Sequence, residues 1–80
     1  MDQGKPYSIN LGLAVKRERD KMKLTQQELA EFAGCGLTFV NQLERGKGSV
    51  RFDKLLDVLR VLGLGLKLEK GKDTLRVGVI

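Results

Sequence analysis

The stretch from Leu24 to Gly46, LTQQELAEFAGCGLTFVNQLERG, constrains the fold of this 80-residue chain more than any other feature. Thr25 and Glu28 have the spacing of a capping box, which predicts a helix that begins directly after the threonine. Glycines flank Cys35, and glycine adopts the positive φ angle that a sharp turn between two short helices requires. A second helix is predicted over Leu37–Arg45, ended by the glycine that follows it. The spacing therefore favours two short helices held at a fixed angle.

Each of these predicted helices has an inner and an outer face. In the first helix, apolar residues recur at three- and four-residue intervals at Leu29, Ala30, Phe32 and Ala33. The second helix places Val40 and Leu43 inward. Its outward-facing residues are Leu37, Thr38, Asn41 and Gln42. A small polar side chain followed one turn later by two amides suits hydrogen bonding to base edges in a DNA major groove, so the second helix is the candidate recognition helix.

The same stretch resembles the helix-turn-helix of the lambda-repressor-like, or Xre, family. The matching features are the leucine before the cap, the T-Q-x-E-L-A start, the glycine at the turn and the L-E-R-G ending. The resemblance implies that Gln26, at the start of the first of the two helices, contacts a phosphate. It also implies that the base-facing positions are occupied by Leu37, Thr38 and Gln42, with Asn41 beside them.

Two residues depart from the family pattern where the second helix begins. Gly36 occupies the position where a serine or threonine is usual, and Leu37 follows where a polar or basic residue is frequent. A leucine is limited to apolar contact with a thymine methyl group or a sugar. Fewer direct contacts with base edges are therefore expected than is usual in the family.

Length and composition favour a small regulator. Eighty residues make one domain at most. The hydrophobic core of so small a domain is modest, and such chains often gain stability by oligomerising. Cys35 is the single cysteine, which excludes an intrachain disulfide and a multi-cysteine metal cluster, and we expect it to pack in the core. No stretch approaches the roughly 18 apolar residues that span a bilayer, and the N-terminus does not have the pattern of a signal peptide. These features predict a cytoplasmic protein with no membrane partner, metal or cofactor.

The net charge of +5 favours a polyanionic partner. Residues 25–46 nevertheless carry a net charge of −2, whereas the segments on both sides are positive. Phosphate contact is therefore expected from basic residues that flank the recognition helix: Lys16, Arg17, Lys21, Lys23, Arg45, Lys47, Arg51 and Lys54. The alternative is that these residues form the solvated face of an ordinary soluble domain.

A further helix is predicted upstream, from about Ile9, with Ser8 as its cap, to Lys23. Its residues expected to face the core are Leu11, Ala14, Val15 and Met22. In the Xre family an arginine at the position of Arg19 pairs with the glutamate of the L-E-x-G ending. The resemblance therefore implies a structural ion pair between Arg19 and Glu44, which specifies geometry more than it adds stability.

The segment after the recognition helix is a loop, 47–50, followed by a predicted fourth helix. Glycine in the loop would let backbone amides approach a phosphate, and a plain connector is an equally favoured alternative. The apolar residues of the helix form a broad face: Phe52, Leu55, Leu56, Val58, Leu59 and Leu62. This face is expected to close a mainly α, four-helix domain over residues 8–63, preceded by a flexible N-terminus at 1–7, with any surplus used for self-association.

From residue 64 onward the hydrophobic period changes from helical to two residues, first at Leu64, Leu66 and Leu68 and later at Leu75, Val77 and Val79. The pattern predicts a strand or hairpin over 64–80, with 70–73 as its turn. Because an isolated hairpin is marginal in water, the first three leucines are expected at the interface of a homodimer. A dimer would hold two recognition helices about one helical turn apart on a palindromic operator in double-stranded DNA. The alternative is a tail docked on its own subunit or frayed beyond residue 70.

An Xre domain followed directly by an L-G-L-x-L-x-L strand is similar to the HipB-type antitoxins, over roughly residues 9–69. That resemblance implies a dimer that represses its own operon and holds a HipA-type kinase toxin. Residues 74–80 have no counterpart in the pattern.

Three functions of different classes remain to be compared. The acidic recognition segment and Leu37 favour a protein-interaction adaptor, whereas Gln26, Thr38 and Gln42 with basic flanks favour a sequence-specific DNA-binding repressor. An enzyme is disfavoured, because the chain has no histidine, no metal-ligand spacing and no G-x-x-x-x-G-K phosphate loop. We therefore expect a transcriptional repressor with a HipB-like antitoxin role, the alternative being a stand-alone Xre-type regulator without a toxin.

Overall fold

The computed structural model describes the backbone of residues 6–70 and 75–80 and the side chains of residues 7–68 and 80. Within these residues, four helices precede a two-stranded antiparallel sheet. The elements are α1 (Pro6–Lys21), α2 (Gln26–Ala33), α3 (Leu37–Glu44), α4 (Phe52–Leu62), β1 (Leu66–Lys70) and β2 (Leu75–Val79). The predicted mainly α fold with a C-terminal hairpin is confirmed. The turn of the hairpin was predicted at residues 70–73. Residue 70 lies in β1 instead, and residues 71–73 lie outside the described part of the chain.

The capping box at the start of α2 is confirmed. The Glu28 N–H donates to Thr25 Oγ1 at 3.0 Å, and the Thr25 N–H donates to Glu28 Oε1 at 2.8 Å. Gly34 ends the helix with φ +71°, and α3 begins three residues later without a side-chain cap on Gly36. Local signals thus determine where the two central helices begin and where the chain turns between them.

The predicted limits of the first helix are wrong at both ends. The helix begins at Pro6, since proline suits a first helical position, and Ser8 is a buried residue within it and not its cap. The predicted domain boundary between residues 7 and 8 therefore falls inside α1, while residues 1–5 lie outside the described part. The helix ends at Lys21, and the chain turns through Lys23, whose φ is +57°.

The core lies where the four helices meet. Its buried apolar residues are Leu11, Val15, Leu29, Ala30, Val40, Leu43, Leu55, Val58, Leu59 and Leu62. All four helices contribute, and α4 supplies the largest share. Burying one such leucine or valine side chain stabilises a fold by roughly 1.5–3 kcal/mol, so this cluster is the main source of stability for the helical part.

Four residues predicted to face the core are exposed instead. The exposed fraction is 67% for Phe32, 62% for Phe52, 46% for Met22 and 39% for Leu56. At 100° per residue, Phe32 and Leu56 each lie about 100° from the centre of the buried face of their own helix. Met22 follows the last residue of α1, and Phe52 is the first residue of α4. Helical spacing alone overestimates the width of the buried face.

The C-terminal hairpin packs beside α1, with Leu66 opposite Val79 and Lys70 opposite Leu75. Gly65 and Ile80 extend the ladder through the Ile80 N–H, which donates to the Gly65 carbonyl at 2.8 Å. The predicted alternation of the tail leucines is only partly correct. Leu64 belongs to the turn that ends α4, because its N–H donates to the Leu59 carbonyl at 2.9 Å, and the strand begins two residues later.

Candidate nucleic-acid interface

The outer face of α3 is exposed because its inner face is fixed against the rest of the domain. Val40 and Leu43 are fully or almost fully buried, whereas Leu37 is 45% exposed and Thr38 is also exposed. Asn41 and Gln42, one turn later, are half-buried. The predicted base-facing residues therefore share one accessible surface, which we call the α3 outer face: Leu37, Thr38, Asn41 and Gln42.

A close crossing between α1 and α3 sets the position of this face. A Cβ atom built on Gly12 would lie 2.8 Å from the Glu44 carbonyl oxygen, so only glycine permits the two backbones to approach this closely. Ala14, expected to face the core, is half-buried, and the close approach at Gly12 was not predicted. A glycine in the middle of a predicted helix was the available signal.

The ion pair implied between Arg19 and Glu44 joins the same two helices. Arg19 Nε lies 2.6 Å from Glu44 Oε2, and Arg19 Nη2 donates to Glu44 Oε1 at 3.0 Å. The side chains are 11% and 4% exposed, respectively. Arg19 Nη1 also donates to the Leu24 carbonyl at 2.8 Å, and the hydrogen bond to Glu44 raises the pKa of Arg19. The bidentate pair therefore fixes the C-terminal end of α3 relative to α1.

Gln26, the expected phosphate contact, belongs to the same network of hydrogen bonds. Its Nε2 donates to Glu44 Oε1 at 3.1 Å, and its Oε1 accepts from Asn41 Nδ2 at 3.4 Å. The network thus runs from Arg19 through Glu44 and Gln26 to Asn41 on the outer face. Sequence reasoning identified its members separately and missed that they are connected, because their contacts depend on the angle between α2 and α3.

The predicted phosphate-contact residues differ in their surroundings. Lys16, Arg17 and Arg45 are exposed. Arg51 is exposed too, but its Nη2 lies 2.7 Å from Asp53 Oδ2, and this hydrogen bond lowers the pKa of Asp53. The charge of Arg51 is therefore partly offset in the free chain.

Lys47 is half-buried and lies against the α3 outer face, where its Nζ donates to Gln42 Oε1 at 3.2 Å. The lysine expected to contact a phosphate thus contacts one of the predicted base-reading side chains. No sequence signal indicated this pairing.

The described side chains offer little for other chemistry. Among them, no cluster of three or more histidine, cysteine, aspartate or glutamate residues has the arrangement of a metal site. Cys35 is half-buried against the core, and burial raises the pKa of its thiol, which disfavours the reactive thiolate. None of the described helices is long and apolar enough to cross a membrane.

A groove of about 460 Å³ lies where the hairpin meets the helices. It runs between the start of α1, the start of α4 and β1, and its walls include Tyr7, Val50, Phe52, Leu66 and Leu68. Leu64 and Leu66 are half-buried against the core, whereas Leu68 is 67% exposed. Of the three leucines predicted at a dimer interface, Leu68 is the most accessible.

The family model for the helix-turn-helix, HTH_3, matches residues 15–68. A relative in Sinorhizobium fredii (strain NBRC 101917 / NGR234), described as the uncharacterized HTH-type transcriptional regulator y4mF, is 39% identical over 59 residues. The matched region covers 74% of this chain and 78% of the relative. The family match thus covers α2, α3 and α4 completely, together with the last seven residues of α1 and part of β1.

Solved structures share the fold. The clp gene regulator ClgR from C. glutamicum is 30% identical with a TM-score of 0.66, over 76% of this chain and 78% of that one. The restriction-modification controller protein C.AhdI from Aeromonas hydrophila is 25% identical with a TM-score of 0.63, over 69% and 83%. A chain of the HipA-HipB-O2-O3 complex is 24% identical with a TM-score of 0.72, over 88% and 99%, and this likeness concerns the fold alone.

Proposed function

We propose that this chain, which belongs to the helix-turn-helix family, is a DNA-binding transcriptional regulator of the Xre type that represses transcription from a specific operator. The observation that carries the proposal is the α3 outer face. It is accessible and presents one hydroxyl and two amides, while the Gly12 crossing and the Arg19–Glu44 pair fix the helix behind it. A rigid helix of this kind fits a major groove, and the proposal requires no catalytic chemistry.

The proposed contacts divide into two kinds. Thr38, Asn41 and Gln42 donate to or accept from base edges, and Leu37 contacts a thymine methyl group. The proposed phosphate contacts are Gln26, Lys16, Arg17, Arg45, Lys47 and Arg51. Since phosphate contacts position a protein and base contacts specify its site, this division accounts for an acidic recognition segment between positive flanks.

The operator is proposed to be palindromic and bound by a homodimer. The groove beside β1 supports this, because the exposed Leu68 and Phe52 form part of its walls and a second copy would cover them. Leu64, Leu66 and Leu68 are the proposed dimerisation residues. We place the activity in the cytoplasm, where the proposed DNA partner is found.

A finer proposal is that the regulator is an antitoxin of the HipB type that also holds a HipA-type kinase. It is supported by the structural likeness to a chain of the HipA-HipB-O2-O3 complex, which extends over 88% of this chain. Co-purification with the product of the adjacent reading frame tests it. A stable complex with a kinase-like protein supports the antitoxin role, and a neighbouring frame that encodes no kinase leaves a stand-alone regulator.

The DNA-binding proposal is tested by selecting duplexes from a randomised library with the purified chain. We expect enrichment of a palindrome whose half-sites lie about 10 base pairs apart, and repression of a promoter that carries it. Binding that enriches no sequence would favour the adaptor alternative.

A further inference from the structure

Lys47 contacts Gln42 at two points. The Lys47 N–H donates to the Gln42 carbonyl at 3.1 Å, and the Lys47 side-chain ammonium donates to Gln42 Oε1 at 3.2 Å. The two residues are five positions apart, so the chain has to fold back at the end of α3 to bring them together.

The turn that folds the chain back is fixed. Gly46 has φ +82°, and its N–H donates to the Leu43 carbonyl at 3.1 Å, which together with the backbone bond of Lys47 completes a Schellman motif. A Cβ atom on Gly46 would lie 3.0 Å from the Cα and the Cγ1 of Ile9, so the turn is also packed against α1. The backbone bond between Lys47 and Gln42 therefore cannot break without disrupting a packed helix end, so the Lys47 side chain always starts beside Gln42.

The electrostatic setting favours the same arrangement. The last turn of a helix carries partial negative charge on its carbonyls, which favours a cation there. Lys47 and Gln42 are both half-buried, so solvent competes less for their hydrogen bond than for one between exposed side chains.

The bond has a direction that matters for recognition. The Gln42 amide oxygen faces Lys47, so the opposite end of the same planar group, Nε2 with its two hydrogens, is left to face a ligand. In the described part of the chain, no side chain accepts a hydrogen bond from this Nε2. Guanine presents two acceptors in the major groove, O6 and N7, whereas the bidentate pairing of glutamine with adenine also needs the amide oxygen, one of whose two lone pairs already accepts from Lys47.

We propose that Lys47 is a positioning residue that orients the Gln42 amide, so that Gln42 selects guanine over adenine at the base pair it faces. The proposal rests on the proposed function, since it concerns a base read by α3. It assigns Lys47 a role in specificity in addition to any attraction for phosphate.

The test begins with the duplex that the wild-type chain selects from a randomised library. The base pair that Gln42 reads is identified as the one at which the variant Gln42→Ala no longer prefers a particular base. Binding is then measured to the selected duplex and to a duplex in which that pair is changed from guanine to adenine. Lys47→Met keeps the apolar stem and removes the donor, Lys47→Arg keeps a charged donor, and Arg60→Gln removes a positive charge from α4, outside the proposed interface.

We expect the wild-type chain to prefer guanine by roughly threefold to tenfold, the range expected from one net hydrogen bond. Lys47→Met should abolish this preference, while Lys47→Arg and Arg60→Gln should keep it. If Lys47→Met weakens binding to both duplexes by the same factor, Lys47 acts on phosphate alone and the proposal is overturned. A wild-type chain that prefers adenine at this pair also overturns it.

Failure of the proposed function looks different. In that case the wild-type chain enriches no sequence at all, and the positioning role falls with it. Thermal unfolding of each variant, recorded by circular dichroism, shows whether the fold is retained, and Lys47→Arg provides the rescue that a purely structural loss would not explain.

Discussion

The unit formed by α2 and α3 and the hairpin formed by β1 and β2 are held in place in different ways. The polar side chains between α2 and α3 are connected to one another and to α1 through Glu44, and the inner faces of both helices are buried. The hairpin pairs with itself, and Leu68 and Ile80 remain 67% and 68% exposed. The comparison indicates that the helical unit is fixed by side-chain contacts to the rest of the domain, whereas the hairpin is paired strand to strand and exposes Leu68 on β1.

The largest expected effect is on the buried carboxylate of the helical unit. Replacing Glu44 with alanine removes an acceptor of Gln26 and leaves the largely buried Arg19 with the exposed Asp20, at 3.4 Å, as its carboxylate partner, so we expect a loss of about 3 kcal/mol in the free energy of unfolding. Urea denaturation measures it. The matched control is Asp57→Ala on α4, which breaks a 3.3 Å pair with Arg60 whose side chains are 42% and 77% exposed. The control should change stability by less than about 0.5 kcal/mol, and equal losses would contradict a special role for Glu44.

The close helix crossing gives the next largest effect. Gly12→Ala places a Cβ against backbone atoms of α3, which cannot move aside as a side chain can, so a loss of about 2–3 kcal/mol is expected in the same assay. Gly36→Ala is the matched control, because no atom lies within 4 Å of the added Cβ and φ is −88°. If Gly12→Ala costs no more than the control, α1 and α3 do not cross as closely as described.

The hairpin side of the comparison is tested by its exposed leucine. Leu68→Ser should weaken self-association about tenfold, or ~1.4 kcal/mol, because it removes an apolar side chain from the proposed interface. Phe32→Ser is the control, since Phe32 has the same 67% exposure but lies on α2. Sedimentation at several concentrations measures both variants. Unchanged association of Leu68→Ser would place the dimer contact elsewhere, on the remaining exposed surface of α4 for example.

The smallest effect concerns the end of α1. Lys23 adopts φ +57°, a conformation that costs a non-glycine residue about 1–2 kcal/mol, and glycine in its place loses about 0.5–1 kcal/mol through chain entropy. Lys23→Gly should therefore raise the unfolding free energy by about 0.5 kcal/mol and the midpoint of thermal unfolding by about 2–4 °C. The control Lys21→Gly, at the last residue of α1, should lower the midpoint. A decrease for both variants would show that the left-handed turn at Lys23 is not formed.

The helical unit was the more predictable of the two regions because its signals are local. The capping box needs only the spacing of Thr25 and Glu28, and the turn needs only the glycine at position 34, so both could be identified from neighbouring residues. The tail was correctly predicted to form β structure, but the residue at which its first strand begins was not. Leu64 has the spacing of a strand residue, yet the turn after Gly63 uses its N–H to complete the end of α4.

The candidate site was predictable as a set of residues and not as a set of contacts. Helical geometry alone places Thr38, Asn41 and Gln42 on one face. The bonds from Gln26 to Asn41 and from Lys47 to Gln42 depend on how α2 and the loop after α3 pack, and neither pair is adjacent on a helix face. The exposed Phe32 illustrates the opposite error, in which an apolar residue at helical spacing lies beyond the edge of the buried face.

The central claim is that the α3 outer face reads DNA bases, and the most direct measurement is the ratio of affinities for the selected duplex and for a scrambled duplex. For the wild-type chain we expect a large ratio. For the double variant Thr38→Ala, Gln42→Ala it should fall by about 1–3 kcal/mol for each lost base contact, with affinity for the scrambled duplex nearly unchanged. Equal losses of affinity for both duplexes would contradict the claim, because they would show that these side chains support binding without reading sequence.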